Sequence, residues 1–191
     1  MNLINKTLAF FVFRVRMIIY IGVSVLACAH MQVNAQIKNP FLSLNFDSVI
    51  LYDYQPYGED PSLFDSKGEI GKGVEVNKRL KLDLGTAKQL NLKLGAKESY
   101  GQANASCFEP HLAIGYFKNG KIIQHIMVCI GCNVLSSSID IPAQHQNKQR
   151  IGNDYYYTGH GMSKSFRQFL NRLLVKYNFS HQIEKESMFD K

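Results

Sequence analysis

The chain has 191 residues, 46% of them hydrophobic, with 22 Lys and Arg against 15 Asp and Glu. That is enough apolar material for a packed core, which excludes a disordered polar chain. Much of the basic excess lies downstream, where residues 111–191 hold 10 Lys and Arg against 5 Asp and Glu, but it forms no dense stripe of the kind nucleic acid requires, so no nucleic-acid partner is expected.

Residues 1–35 stand apart. Lys6, Arg14 and Arg16 are their only charges, the apolar run MIIYIGVSVLACA follows, and the segment ends in Val33-Asn34-Ala35. Those last residues are small or branched where a signal peptidase reads. The pattern predicts a secretory signal, residues 1–35, cleaved after Ala35. An uncleaved anchor fits less well, because the apolar run is short of the roughly 20 residues of a span. The alternative cut is a lipobox, Ser24-Val25-Leu26-Ala27-Cys28, which would leave Cys28 lipidated and the protein tethered to a membrane. The expected location is therefore exported, periplasmic or extracellular, with a membrane-anchored lipoprotein as the alternative. Contact with a membrane is expected only through the signal or that lipid anchor.

Residues 36–191 have the size of a single globular domain, and without the three leader charges they are only mildly basic. Phe46–Tyr54, FDSVILYDY, is rich in β-branched and aromatic residues and reads as a strand ending before Pro56. YGEDPSLFDSKGEIGKG, residues 57–73, is turn-rich. Lys78–Leu84 alternates like a half-exposed strand. Thr86-Ala87-Lys88-Gln89 has the form of a capping box, Ala87, Leu90 and Leu94 share one helical face, and Gly95 suits a stop, which predicts a short helix.

Asn119-Gly120 is a strong hairpin signal, because a type I′ turn needs positive φ at both central residues. A two-residue loop sets Lys118 opposite Lys121 and Phe117 opposite Ile122. The same register carried outward pairs Ala113 with Ile126 and Ile114 with His125. Both faces of the hairpin are then largely apolar, as in strands central to a covered sheet. His125 reads as a core histidine. Near the C-terminus, Phe166, Phe169, Leu170, Leu173, Leu174 and Tyr177 form one helical stripe, with Arg167, Gln168, Asn171, Arg172 and Lys176 opposite. Ser163 caps its start, and Asn178 takes the left-handed position after its end.

The expected chemistry lies at the open end of the hairpin. The register places Cys107 opposite Cys132 in a close pair, with Cα atoms roughly 4.5 Å apart. That falls within the window of about 4.4–6.8 Å that a disulfide accepts. Pro110, opposite Cys129, cannot donate to the ladder, so the strands loosen there and Cys129 is an alternative partner for Cys107. Two other readings use the same residues. Cys107-x3-His111 with Cys129-x2-Cys132 offers a zinc ligand set if the His111 ring turns toward the sulfurs. Cys129-Ile130-Gly131-Cys132 also has redox spacing, which needs a helix N-terminus behind it to lower one thiol's pKa. Residues 133–138 show no helical period, and an irregular polar segment there favours the staple. The cluster of tyrosines at 155–157 reads as a strand end packed over the core. The sequence contains no HExxH, Walker loop or GxSxG.

Phe46–Tyr54, Ser99-Tyr100-Gly101, Cys107-Phe108-Glu109-Pro110-His111, Cys129-x2-Cys132 and Gly161-Met162-Ser163-Lys164 together resemble a family of small exported bacterial proteins of unknown function. The resemblance covers most of residues 36–191 and implies a single unit, with no activity attached.

The expected architecture is α+β: an antiparallel sheet of about four or five strands around the hairpin, carrying the C-terminal helix and a shorter one. The expected role is a non-catalytic binding or envelope-associated module, with an envelope component or peptide as partner and no cofactor. A thiol-redox or zinc-binding protein using Cys107, His111, Cys129 and Cys132 is the alternative.

Overall fold

The apolar run near residue 50 forms β1, Ser48–Pro56, whose residues 49–54 are buried without a break. Uninterrupted burial requires cover on both faces, and the sheet provides it. The computed structural model describes residues 38–144, 148–157, 160–183 and 189. The signal-cleavage and Cys28 lipidation expectations lie outside these residues. Within them the chain adds β2 (Val74–Lys81), α1 (Leu84–Leu94), β3 (Tyr100–Gln102), β4 (Leu112–Lys118), β5 (Lys121–Cys129), β6 (Val134–Ser137), β7 (Lys148–Ile151), β8 (Asp154–Tyr157), β9 (Gly161–Met162) and α2 (Lys164–Lys176).

The fold is α+β, as expected. Among the described residues, seven strands form one sheet in the order β2-β1-β4-β5-β6-β8-β7, each neighbouring pair antiparallel. The count exceeds the four or five expected because β6, β7 and β8 are four residues each, too short for periodicity to reveal. β3 and β9 pair separately. One sheet face, including Leu51, Ile114 and Ile126, packs with Leu90 and Leu94 of α1 and Phe166 and Leu170 of α2. The other face, including Tyr52, Ala113 and Met127, is covered by Leu63 and Phe64 of the turn-rich 57–73 segment. Among the described residues no helix is long and apolar enough to cross a membrane.

Both helices appear where their stripes predict, with one change of cap. Asp83, not Thr86, caps α1: its Oδ1 accepts from the Thr86 amide at 2.9 Å, and the Thr86 hydroxyl donates to Oδ2 at 2.7 Å. Helical spacing also resolves the leucines, since Leu90 and Leu94 are buried while Leu92 is exposed. A polar knot anchors this helix to the sheet. The Tyr116 hydroxyl donates to Asn91 Oδ1 at 2.7 Å, and Asn91 Nδ2 donates to the Phe41 carbonyl at 3.1 Å. Gly95 ends the helix against Asn39, where a Cβ would stand 1.9 Å from Asn39 Cγ. Asn39 is held by bonds to Asn91 O and the Phe41 amide. Gly95→Ala is therefore expected to destabilise the fold by about 1–3 kcal/mol, as overpacking does, read by urea unfolding.

α2 starts at Ser163, whose Oγ accepts from the Phe166 amide at 3.4 Å, and Asn178 follows its end with φ 53°. Arg167 corrects the expected polar face. It is buried, because its Nη1 reaches the small β3–β9 sheet, donating to Gln102 Oε1 at 2.8 Å and to the Met162 carbonyl at 2.6 Å.

The hairpin turns at Asn119-Gly120 with φ of 50° and 75°, and Lys118–Lys121 and Phe117–Ile122 pair as expected. Beyond them a bulge at Ile123 shifts the register by one residue, so Ala113 pairs with Met127, Ile114 with Ile126, and Gly115 with His125. The shift has a packing reason. Without it, His125 would share a face with Ile114 against the helices; with it, Ile126 takes that place. His125 faces the loop-covered side beside Phe64.

Candidate functional site: the three-cysteine corner

The ladder between β4 and β5 stops at Leu112–Val128, short of Pro110, so residues 103–111 run as an irregular arm. This arm is tied to the turn between β5 and β6. Asn133, at φ 56°, closes that turn and donates through Nδ2 to the Ala103 carbonyl at 2.9 Å and the Met162 carbonyl at 3.0 Å. The Ala105 amide donates to the Cys132 carbonyl at 2.9 Å. These bonds bring Cys107 to the turn, and it forms a disulfide with Cys132, Cα to Cα 5.9 Å. The expected pair is correct, but the route differs. Cys107 reaches Cys132 across a loop contact, since the shifted strand register would not have set them opposite each other.

Cys129, the alternative partner, is a free and buried thiol at the end of β5. The sulfurs of Cys107, Cys129 and Cys132 lie within 4.8 Å of one another, with Cys107 exposed and the other two buried. Val134, Ala105 and Phe108 pack around them. The Cys132 amide donates to the Cys129 sulfur at 3.2 Å, and the amides of Gly131 and Glu109 also point hydrogen bonds at it. Burial nonetheless pushes the Cys129 thiol up from its ordinary value. A protonated, enclosed thiol is a poor nucleophile.

The environment of the CxxC departs from the redox reading. The segment after Cys132 is neither a helix nor an irregular polar run. It is β6, with all four residues buried and Val134 paired to Cys129. The CxxC therefore spans a strand-to-strand turn, and the element that follows it is a strand where the redox reading needs a helix. Serines at 136 and 137 disguise this strand in the sequence, because burial inside the sheet is a tertiary property.

His111 does not join the cysteines, which corrects the four-ligand zinc set. Its Nδ1 lies 3.2 Å from the Tyr54 carbonyl, to which it donates, and its ring stacks on His181 with centroids 4.1 Å apart. His181 Nδ1 in turn donates to Asp53 Oδ1 at 2.7 Å, and the Ser180 amide donates to Asp53 Oδ2. Asp53 is fully buried. The sequence reading missed this Asp53–His181–His111 group. Its one sequence signal was an aspartate inside the uninterrupted apolar run of β1.

His125 is half-buried, with Nε2 3.1 Å from Asp154 Oδ2. It lines a cleft of about 540 Å³ together with Asp60, Asp65, Gln124, Ile123 and Tyr156. The bulge at Ile123 is what turns it to this side. Tyr155 and Tyr156 lie in β8, and Tyr157 is fully buried, its hydroxyl accepting from the Ile141 amide at 2.7 Å. The tyrosines thus form a strand over the core. No family model, curated protein or solved structure matches the chain.

Proposed function

We propose that this protein is an exported module that works by binding, in the periplasm or outside the cell, and that its fold is held by the Cys107–Cys132 bond. The observation that carries the reading is the bond itself: a disulfide persists in oxidising compartments and is reduced in the cytosol of most organisms. The basic, apolar leader ahead of it supports the same compartment. The enclosed Cys129 thiol and the helix-free CxxC turn support a structural role over thiol catalysis. The cleft beside His125 and Asp154 offers the binding surface for an envelope component or a peptide, with carboxylates, an imidazole and an amide set among Ile123, Phe64 and Tyr156.

Intact mass and thiol counting on protein recovered from the periplasm test this reading. The expected chain begins at residue 36 with one disulfide and one free thiol. A chain beginning at a lipidated Cys28 would keep the export reading and add a membrane anchor. A chain retaining Met1 in the cytosol with its cysteines reduced would overturn it.

A further inference from the structure

We propose that reduction of the Cys107–Cys132 bond converts this corner into a trigonal three-thiolate site for Cu(I). Three sulfurs already stand within 4.8 Å of one another, on a turn and an arm that are also joined by hydrogen bonds from the Ala105 amide and from Asn133 Nδ2. Metal–sulfur bonds of about 2.3 Å in a trigonal plane set the sulfurs roughly 4 Å apart. The free Cys129 sulfur thus has little distance to close, while the Cys107–Cys132 pair opens. Cys107 lies on the irregular arm outside the strand ladder, so it can retreat without breaking sheet pairing.

The donor set selects the ion. Thiolates are soft and favour d10 cations. The nitrogen that would complete a tetrahedral zinc site belongs to His111, which is committed to Tyr54 and stacked on His181. Three sulfurs joined by no histidine among the described residues match cuprous copper better than zinc. Burial and the Glu109 carboxylate oppose a bare thiolate at Cys129, whereas the amides of Glu109, Gly131 and Cys132 are aimed at its sulfur and serve as the outer shell of the site.

The chemistry balances with an external dithiol as reductant. Its two thiols give up two electrons and two protons and become a disulfide, while the Cys107–Cys132 bond becomes two thiols. Cu(I) then replaces the three thiol protons, which pass to solvent, leaving a copper–trithiolate of net charge −2. The reducing conditions that open the bond also keep the copper cuprous. This inference goes beyond the proposed function: in an oxidising compartment the site forms only where such a dithiol opens the bond.

The test is an anaerobic Cu(I) titration of the exported protein as recovered, carrying Cys28→Ser if the leader is retained, oxidised and reduced, against a chromogenic Cu(I) chelator. The reduced protein is expected to take one equivalent with three sulfur neighbours by X-ray absorption, and the oxidised protein none tightly. Reduced Cys129→Ser should bind about 100-fold more weakly or worse, since even outer-shell losses at metal sites cost roughly 10–100-fold. Oxidised Cys129→Ser keeps the disulfide and serves as the folding control, and His111→Gln should bind copper like the wild type. Equal binding by both redox forms, or by reduced wild type and reduced Cys129→Ser, would overturn the proposal. So would a His111→Gln loss matching that of Cys129→Ser. If reduction unfolds the chain and one equivalent of Cu(I) does not restore its native circular dichroism, the fold does not build the site and the proposal also fails.

Discussion

Cys107→Ser is expected to lower stability by about 3 kcal/mol, the chain-entropy value for a loop of this length, and Cys132→Ser by distinctly less. The bridge joins residues separated by 25 positions, so its loss releases a large loop in the unfolded chain. The two variants differ because of the third sulfur. With Cys132 gone, Cys129 remains within 4.8 Å of Cys107 and can take over the bond, closing a loop only three residues shorter. With Cys107 gone, Cys129 and Cys132 are what remains of the cluster, and a bridge across their short turn constrains little. Urea unfolding of the oxidised variants, with peptide mapping under non-reducing conditions, reads both outcomes. The Cys132→Ser map should contain a Cys107–Cys129 peptide. Equal losses in the two variants, with no such peptide, would show that Cys129 cannot substitute.

Asp53→Asn is expected to cost about 2 kcal/mol at neutral pH, since hydrogen bonds to a charged group are worth roughly 1.5–3 kcal/mol each and the amide retains part of them. The carboxylate sits at zero exposure on β1, between β2 and β4, and holds Ser180 and His181, the chain just past α2. Burial alone would raise its pKa. The bonds from His181 and Ser180 outweigh that effect and hold it below the usual 3.8. A folded-state pKa below the unfolded one contributes stability that is fully present above the unfolded value. That contribution is lost as pH falls from about 4 through the folded value. Wild-type stability should therefore fall on acidification below pH 4, and Asp53→Asn should fall less steeply. Asp47, lowered by bonds from the Asn119 amide and Lys118, and Asp65 and Asp83, lowered by bonds within their own turns, remain in both proteins. The difference between the two pH curves isolates Asp53, and parallel curves would show that it does not contribute to acid sensitivity.

Several features of this protein are written in neighbouring residues alone. The stripe from Phe166 to Leu174 specifies α2, Ser163 and Asn178 mark its ends, and Asn119-Gly120 specifies the turn. In each, the determining interaction spans a few positions: one helical turn, one cap, or one pair of backbone angles. The β-branched and aromatic run from Phe46 to Tyr54 likewise announced a strand.

Other features depended on partners distant in the chain. Arg167 looks solvent-facing until β3 and β9 supply its acceptors. His111 looks like a ligand until Tyr54 and His181 claim it. The serines of β6 become a buried strand only because β5 and β8 flank them. The bulge at Ile123 moves His125 from one face of the sheet to the other, and nothing in the local pattern distinguishes the two registers. Sequence by itself determined the helices and the turn. Tertiary structure decided which face, which partner and which thiol stays free, because burial and pairing belong to the assembled sheet.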